Sequence, residues 1–293
     1  MGVLETYGWR GGDSAGIARI VSSHGDYYKI VCEESPSPSV ARRKKSVFAG
    51  KGTKLRTVAG GKANLELRLA GEEDAVRPVT GDFTTVRYNP QGESLITGVL
   101  PRFSEFGRKD PTARRKSQTL AVNFDVLFIT MSLVGDYSIP RVRRYLALAQ
   151  DAGDARTAVL LTKSDLAGRD AAADRVREVA ALGCETIAVS AATGEGLDAV
   201  RALEKPGVTF AFVGSSGVGK SSVINALAGR EIAATGEIQE WSGKGRHTTT
   251  ARELYLLPSG ALAIDTPGVR EIGIVGEEEV FLAKGASTHR WRM

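Results

Sequence analysis

Short apolar runs, separated by polar or glycine-bearing turns, dominate the second half of this 293-residue chain. Residues 126–129, 157–161, 187–191, 208–213 and 261–264 each read as a strand apolar on both faces, the pattern of a covered parallel sheet. Helical periods lie between them. Residues 171–182 fit one helix, Gly194-Glu195-Gly196-Leu197 opens another, and Ser222-Val223-Ile224-Asn225-Ala226-Leu227-Ala228 places apolar residues at i, i+1, i+4 and i+5. The first part of the chain is patterned differently. Ile17-Ala18-Arg19-Ile20-Val21 and Tyr27-Tyr28-Lys29-Ile30-Val31-Cys32 flank a polar turn, a hairpin signal. Shorter strands are expected near 46–49, 65–70, 83–88 and 95–100, with turns such as Asn89-Pro90-Gln91-Gly92. About five short strands in about 100 residues suit a small barrel, with an OB-fold as the favoured version.

The turns after the apolar runs carry the chemistry. Gly214-Ser215-Ser216-Gly217-Val218-Gly219-Lys220-Ser221 fits G-x-x-x-x-G-K-[ST] at every defined position, between a strand signal and a helix signal. Such a loop turns its backbone N–H groups, those of Ser215, Ser216 and Val218 among them, towards phosphate oxygens at the positive end of the following helix. Lys220 is expected to reach the β- and γ-phosphates, and Ser221 to offer a hydroxyl to Mg2+, with Ser222 next in the loop. Asp265-Thr266-Pro267-Gly268 follows the apolar run 261–264, where Asp265 can orient Mg2+ and the Gly268 N–H can touch the γ-phosphate. Val269 stands where Ras-like enzymes carry a water-orienting Gln, so another group positions the water or intrinsic turnover is slow.

Two further turns read a base. In Thr162-Lys163-Ser164-Asp165 the Asp165 carboxylate is matched to the guanine N1–H and exocyclic amine, which adenine does not offer in that arrangement. Thr162 replaces the usual Asn, keeping a hydroxyl and losing an amide. Ser190-Ala191 ends the next apolar run, with the Ala191 N–H as candidate donor to guanine O6. These base readers precede the phosphate loop, the reverse of an ordinary GTPase.

Charge is unevenly spread. Residues 1–118 hold 20 basic and 13 acidic side chains, against 19 and 21 in the remainder, within a formal net charge of +5. The basic first part is therefore the expected polyanion contact. Arg42-Arg43-Lys44-Lys45 lies after the polar segment Ser35-Pro36-Ser37-Pro38-Ser39, and Arg108-Lys109 with Arg114-Arg115-Lys116 forms a second basic group. Loops on an OB barrel are suited to gripping nucleic-acid backbone, which makes rRNA the favoured polyanion. Two cysteines, Cys32 and Cys184, exclude a disulfide framework and point to a reduced cytoplasmic setting. No apolar stretch approaches the roughly 18 residues of a membrane span, and no secretory signal pattern opens the chain.

With these residues in view, the chain resembles the circularly permuted YjeQ/RsgA family of ribosome-small-subunit-dependent GTPases. The resemblance rests on the motif order, Gly245-Arg246-His247-Thr248-Thr249-Thr250, Asp265-Thr266-Pro267-Gly268-Val269-Arg270-Glu271, Val122-Asn123-Phe124-Asp125 and Arg144-Tyr145-Leu146, and runs from about residue 8 to 276. It implies that the Gly-Arg-His-Thr-Thr stretch is the first switch, with Thr249 (or Thr248) completing the Mg2+ shell and His247 a candidate to assist the attacking water. It also implies GTP/GDP and Mg2+ as ligands, and a late-stage small (30S) subunit assembly factor whose turnover the subunit stimulates. Family members continue into a Cys/His zinc-binding domain. No cysteine follows Cys184, so zinc is not expected in this chain.

The sequence reading is thus an α/β protein: an OB-fold-like unit over residues 1–112, a circularly permuted P-loop GTPase domain over 113–276 and a short tail over 277–293. A monomer bound to the small ribosomal subunit and its rRNA, with no membrane, is expected. A GTP-gated RNA-binding module with negligible turnover and a P-loop ATPase or kinase are the alternatives.

Overall fold

The computed structural model describes residues 3–11, 16–24, 27–32, 64–65, 77–87, 94–108, 118–233 and 252–266. The N-terminal unit comprises a turn of helix α1 (Val3–Thr6) and strands β1 (Ile17–His24), β2 (Tyr27–Cys32), β3 (Asn64–Leu65), β4 (Phe83–Arg87) and β5 (Leu95–Val99). Their order is β2-β1-β4-β5-β3, antiparallel throughout except for the β3–β5 pair. Ala18 and Ile20 alternate with Arg19 along β1, so the two apolar residues join Tyr28, Ile30, Cys32 and Ile96 in a small core. This is the strand arrangement of a partly open five-stranded Greek-key barrel, the OB-fold. Of the strands expected near 46–49 and 65–70, the first lies outside the described residues and the second contributes Leu65 to β3.

A hairpin of β6 (Glu105–Arg108) and β7 (Gln118–Val122) follows, with Arg108 opposite Gln118. It anchors to the next unit through Phe106, buried and stacked on Tyr145 with ring centroids 6.1 Å apart. The chain continues through β8 (Val126–Ser132), α2 (Ile139–Ala149), β9 (Arg156–Thr162), α3 (Ser164–Ala167), α4 (Arg169–Ala180), β10 (Glu185–Ala188), α5 (Leu197–Arg201), β11 (Thr209–Val213), α6 (Lys220–Ala228), β12 (Glu253–Leu256) and β13 (Leu262–Asp265). Strands β10-β9-β8-β11-β13 are parallel in that order, and β12 adds antiparallel to β13. Every residue of β8 and β11 is buried, because both faces are covered. Val142 and Tyr145 of α2 and Val179 of α4 close one face, while Val200 of α5 and Val223, Ile224 and Leu227 of α6 close the other. The run expected at 187–191 is shorter as a strand: β10 ends at Ala188, which leaves Ser190 and Ala191 in the turn beyond it.

The two units share one eleven-stranded sheet, joined where Ser22 of β1 pairs with Glu253 of β12. Beside this seam lies a polar clasp. Arg19 is fully buried, and its guanidinium donates to the carbonyl oxygens of Asn123 at 2.8 Å, Gly81 at 3.3 Å and Tyr7, and to Thr209 Oγ1 at 3.1 Å. Burial lowers its pKa to about 10, with Asp125 and Asp82 opposing the shift, so it stays charged at neutral pH. Asp82, also buried, takes a bidentate pair from Arg102 at 2.8 Å on each arm. Gly81 passes so close to β7 that a Cβ there would lie 2.6 Å from the Val122 carbonyl oxygen, and its φ of +99° is one glycine adopts without strain.

Arg19→Met removes a buried donor to four acceptors spread over both units. The Gly81 carbonyl keeps a second donor in Asn123 Nδ2 at 3.1 Å, so the loss falls chiefly on the Asn123 and Tyr7 carbonyls and Thr209 Oγ1, and is expected to lower unfolding stability by about 3 kcal/mol in urea titration. A loss below about 1 kcal/mol, the scale of one ordinary hydrogen bond, would contradict the clasp's role.

Candidate nucleotide site

The carboxyl ends of the parallel strands converge on one edge, the position at which open α/β sheets bind ligands. The phosphate-loop candidates follow β11 directly. Gly214 is buried at φ +153°, and a Cβ on it would meet the Thr130 carbonyl oxygen of β8 at 2.2 Å. No side chain fits there. Gly217 and Gly219 take φ of +76° and +100°, turning the loop so that Lys220 opens α6 with Gly219 as N-cap. Ser215, Ser216 and Val218 complete the loop, with Val218 buried and Ser216 exposed. Lys220 is 6% exposed, and its ammonium donates to the carbonyls of Gly214 at 3.0 Å and Ser215 at 2.7 Å, curling over the loop. Burial lowers its pKa while Asp265 opposes the shift. Ser222 follows on the exposed side of α6.

Asp265 closes β13 beside this helix. Ser221 Oγ donates to Asp265 Oδ2 at 2.6 Å, and Thr266 ties the strand end to β11 by donating to the Phe212 carbonyl at 2.7 Å. Burial raises the Asp265 pKa, against the Ser221 hydrogen bond and Lys220. A hydroxyl and a carboxylate meeting at hydrogen-bond distance are hard oxygen donors of the kind Mg2+ takes, with remaining positions left to phosphate and water. The donor set fits that cation.

The base-reading candidates stand on the other side of the loop. Thr162 ends β9 and is 2% exposed; its hydroxyl donates to the Val218 carbonyl, and it lies against Gly219, where a Cβ would be 3.4 Å from Oγ1. Lys163, at φ +60°, donates from Nζ to the Gly217 carbonyl at 2.9 Å. The base loop is therefore strapped to the phosphate loop at two successive carbonyls. In the sequence Thr162 is visible only as a departure from Asn, because its contact with a residue 56 positions away carries no local signal. Asp165 sits exposed in the first turn of α3. Ser190 is buried, and its Oγ accepts from the Thr193 N–H at 3.1 Å, fixing the turn that carries Ala191. Gly196 is required behind it, since a Cβ would lie 2.0 Å from the Ala188 carbonyl oxygen. Thr162, Lys163, Asp165, Ala191, Gly219 and Ser222 are among the residues that line one cleft of about 190 Å³.

The structure thus gathers Thr162, Lys163, Asp165, Ser190, Ala191, residues 214–222 of the Gly-rich loop and the first turn of α6, and Asp265 at one edge. His247, Thr249, Gly268 and the basic run Arg42, Arg43, Lys44 and Lys45 lie outside the described residues. Sequence reading overlooked Asn225 of α6, whose side chain holds the turn leaving the helix: its Oδ1 accepts from the N–H groups of Ile232 and Ala233 at 2.8 Å each, and its Nδ2 donates to the Ala233 carbonyl at 2.9 Å.

Residues 99–275 match the family model described as RsgA GTPase. The chain belongs to the RsgA GTPase family. It is 36% identical over 258 residues to the small ribosomal subunit biogenesis GTPase RsgA 2 of Lactiplantibacillus plantarum, covering 88% of this chain and 66% of that protein. It is 40% identical over 225 residues to the Opitutus terrae protein named small ribosomal subunit biogenesis GTPase RsgA, covering 72% of this chain and 59% of its relative. The chain thus spans about three-fifths to two-thirds of the length of these two curated relatives. Among solved structures, YjeQ from Thermotoga maritima superposes with a TM-score of 0.54 at 22% identity, covering 86% of this chain and 74% of that one. YloQ, a circularly permuted GTPase, gives 0.50 at 18% identity, covering 91% and 76%. At those identities the likeness shows the shared fold. The permutation is visible in the sheet itself, where β9 and β10 precede β11 in the chain and lie on the opposite side of β8 from it.

Thr162→Val keeps the shape and removes the hydroxyl that holds Val218. It is expected to weaken GDP binding about tenfold in equilibrium titration, the worth of one buried hydrogen bond whose acceptor is left unpaired. Thr162→Ser is expected to restore most of the loss, and unchanged affinity in Thr162→Val would remove the strap from the account.

Proposed function

We propose that this chain binds and hydrolyses GTP in the assembly of the small ribosomal subunit, with the subunit stimulating turnover and the basic N-terminal barrel contacting rRNA. The single observation that carries the reading is the convergence of the turns after β9 and β10, the Gly-rich loop after β11 and the Asp265 carboxylate at one sheet edge, in permuted chain order. The names of its relatives supply the cellular setting, since they are called small ribosomal subunit biogenesis GTPases.

In this reading the loop N–H groups from Ser215 to Ser222 hold the phosphates, and Lys220 leaves its loop carbonyls to pair with the β- and γ-phosphate oxygens. Ser221 and Asp265, with Thr249, hold Mg2+, which supplies charge neutralisation on the phosphate oxygens. Asp165 accepts from the guanine N1–H and amine, the Ala191 N–H donates to O6, and Lys163 stays clamped to Gly217. The Gly268 N–H meets the γ-phosphate, and His247 helps to position the attacking water in a chain whose residue 269 is valine. Arg42, Arg43, Lys44 and Lys45 add phosphate-backbone contacts from the barrel, reinforced by the basic residues between β6 and β7, in a part of the chain with an excess of positive charge. No helix among the described residues is long and apolar enough to cross a membrane.

Steady-state GTP hydrolysis with and without purified small subunits tests the proposal, with Lys220→Ala as the blank. The expected outcome is a slow intrinsic rate, raised at least about tenfold by subunits and abolished in Lys220→Ala. A rate indifferent to subunits would contradict the ribosomal part, and a rate that persists in Lys220→Ala would contradict the site.

A further inference from the structure

Strand β12 leads out of the segment that holds His247 and Thr249 and pairs antiparallel with β13, with Glu253 directly opposite Asp265. Residues opposite one another in such a pair project to the same face, with Cβ atoms about 4.5–5.5 Å apart. The face is the one towards α6, since Ser221 of that helix donates to Asp265. Tyr255, two residues along β12, shares it and packs on the core layer beneath α6. Its hydroxyl donates to Glu253 Oε2 at 2.8 Å, which fixes the carboxylate by one oxygen. On its other edge β12 is held by the barrel, through the pairing of Glu253 with Ser22 and the hydrogen bond from Thr80 Oγ1 to the Arg252 carbonyl at 2.9 Å. Glu253 thus stands on a three-strand platform, with its side chain beside the metal-orienting acid.

Like charges directly opposite one another weaken a sheet. A cation between phosphate and Asp265 turns that repulsion into attraction. Mg2+ dehydrates reluctantly and keeps several waters beyond its protein and phosphate oxygens, and those waters need acceptors.

We propose that Glu253 is a positioning residue of the metal site, accepting hydrogen bonds from water on the Mg2+ held by Ser221 and Asp265 and oriented in turn by the Tyr255 hydroxyl. The inference rests on the Mg2+-GTP reading given above. It assigns β12 a part in cation affinity, and makes the strand gripped by the barrel also the strand that senses the metal.

The test is the ratio of GDP affinities measured in saturating Mg2+ and in EDTA, with a fluorescent GDP, for the wild type, Glu253→Gln, Glu253→Asp and Tyr255→Phe. The ratio is expected to fall about tenfold in Glu253→Gln, the usual scale for an outer-shell partner, to fall less in Tyr255→Phe, and to recover in part in Glu253→Asp. General damage to the fold lowers both affinities together and preserves the ratio; that result overturns the proposal, as does a ratio unchanged in Glu253→Gln. Should Glu253→Gln not fold, Tyr255→Phe decides alone, and an unchanged ratio there overturns the proposal. A wild type that binds no GDP overturns the functional reading and this inference together. A wild type with Mg2+-dependent binding beside variants of equal ratio overturns this inference only.

Discussion

The parallel pairing of β11 with β8 on one side and β13 on the other is the constraint on which the site depends. Register in a buried parallel sheet is fixed by side chains packed on both faces, and a slip of one residue would turn Phe210 and Phe212 away from the layer they share with Phe128. With the register held, the residue after β11 must be Gly214, pressed against the Thr130 carbonyl, and the last residue of β13 must be Asp265, beside the first turn of α6. Phosphate loop and acid are brought together by strand packing, and their chemistry follows from where those strands stop.

Chain order is immaterial to this arrangement, which is how a permuted sequence reaches an ordinary site. Strands β9 and β10 are laid against β8 before β11 is reached in the sequence, and their turns still meet the loop at the same edge. The Thr162 and Lys163 straps do in space what chain adjacency does not, tying the turn after β9 to the Gly-rich loop after β11 over more than fifty residues. The N-terminal unit pairs with β12, so the barrel grips the strand that leads from the first switch candidate towards Asp265. The buried Arg19 clasp beside it anchors the barrel to the ends of β8 and β11 remote from the nucleotide edge.

Much of the fold, and the grouping of the candidate site's described residues, was legible because the signals were local. Apolar runs gave the strands, the Gly-rich consensus gave the loop, and the Gly196 turn marked the start of α5. Elements with a weak pattern escaped. In β6, Glu-Phe-Gly-Arg has one buried anchor, Phe106, held by a ring on a distant helix; β12 is a four-residue strand; α3 is a single turn after a left-handed Lys163. The OB-like unit was readable as a class from its hairpin and short strands, although its β3 is described over two residues. The straps and the clasp were unreadable in principle, since they join side chains to backbone carbonyls 41 to 104 residues apart in several cases, and a carbonyl carries no sequence identity.

In the proposed function the turns after β9, β10, β11 and β13 form one guanine-nucleotide site in which Asp165 reads the base. The most direct measurement is the affinity of the wild type and of Asp165→Asn for GDP and for the xanthine diphosphate. A carboxylate pairs with the guanine N1–H and amine, whereas an amide at the same place suits the xanthine edge and leaves guanine with a mismatched donor, a difference of about 10²-fold or more when the groups are buried. The wild type is expected to prefer GDP, and Asp165→Asn to reverse the preference while still binding a nucleotide. Equal loss for both nucleotides, or an unchanged preference for GDP, would contradict that proposal.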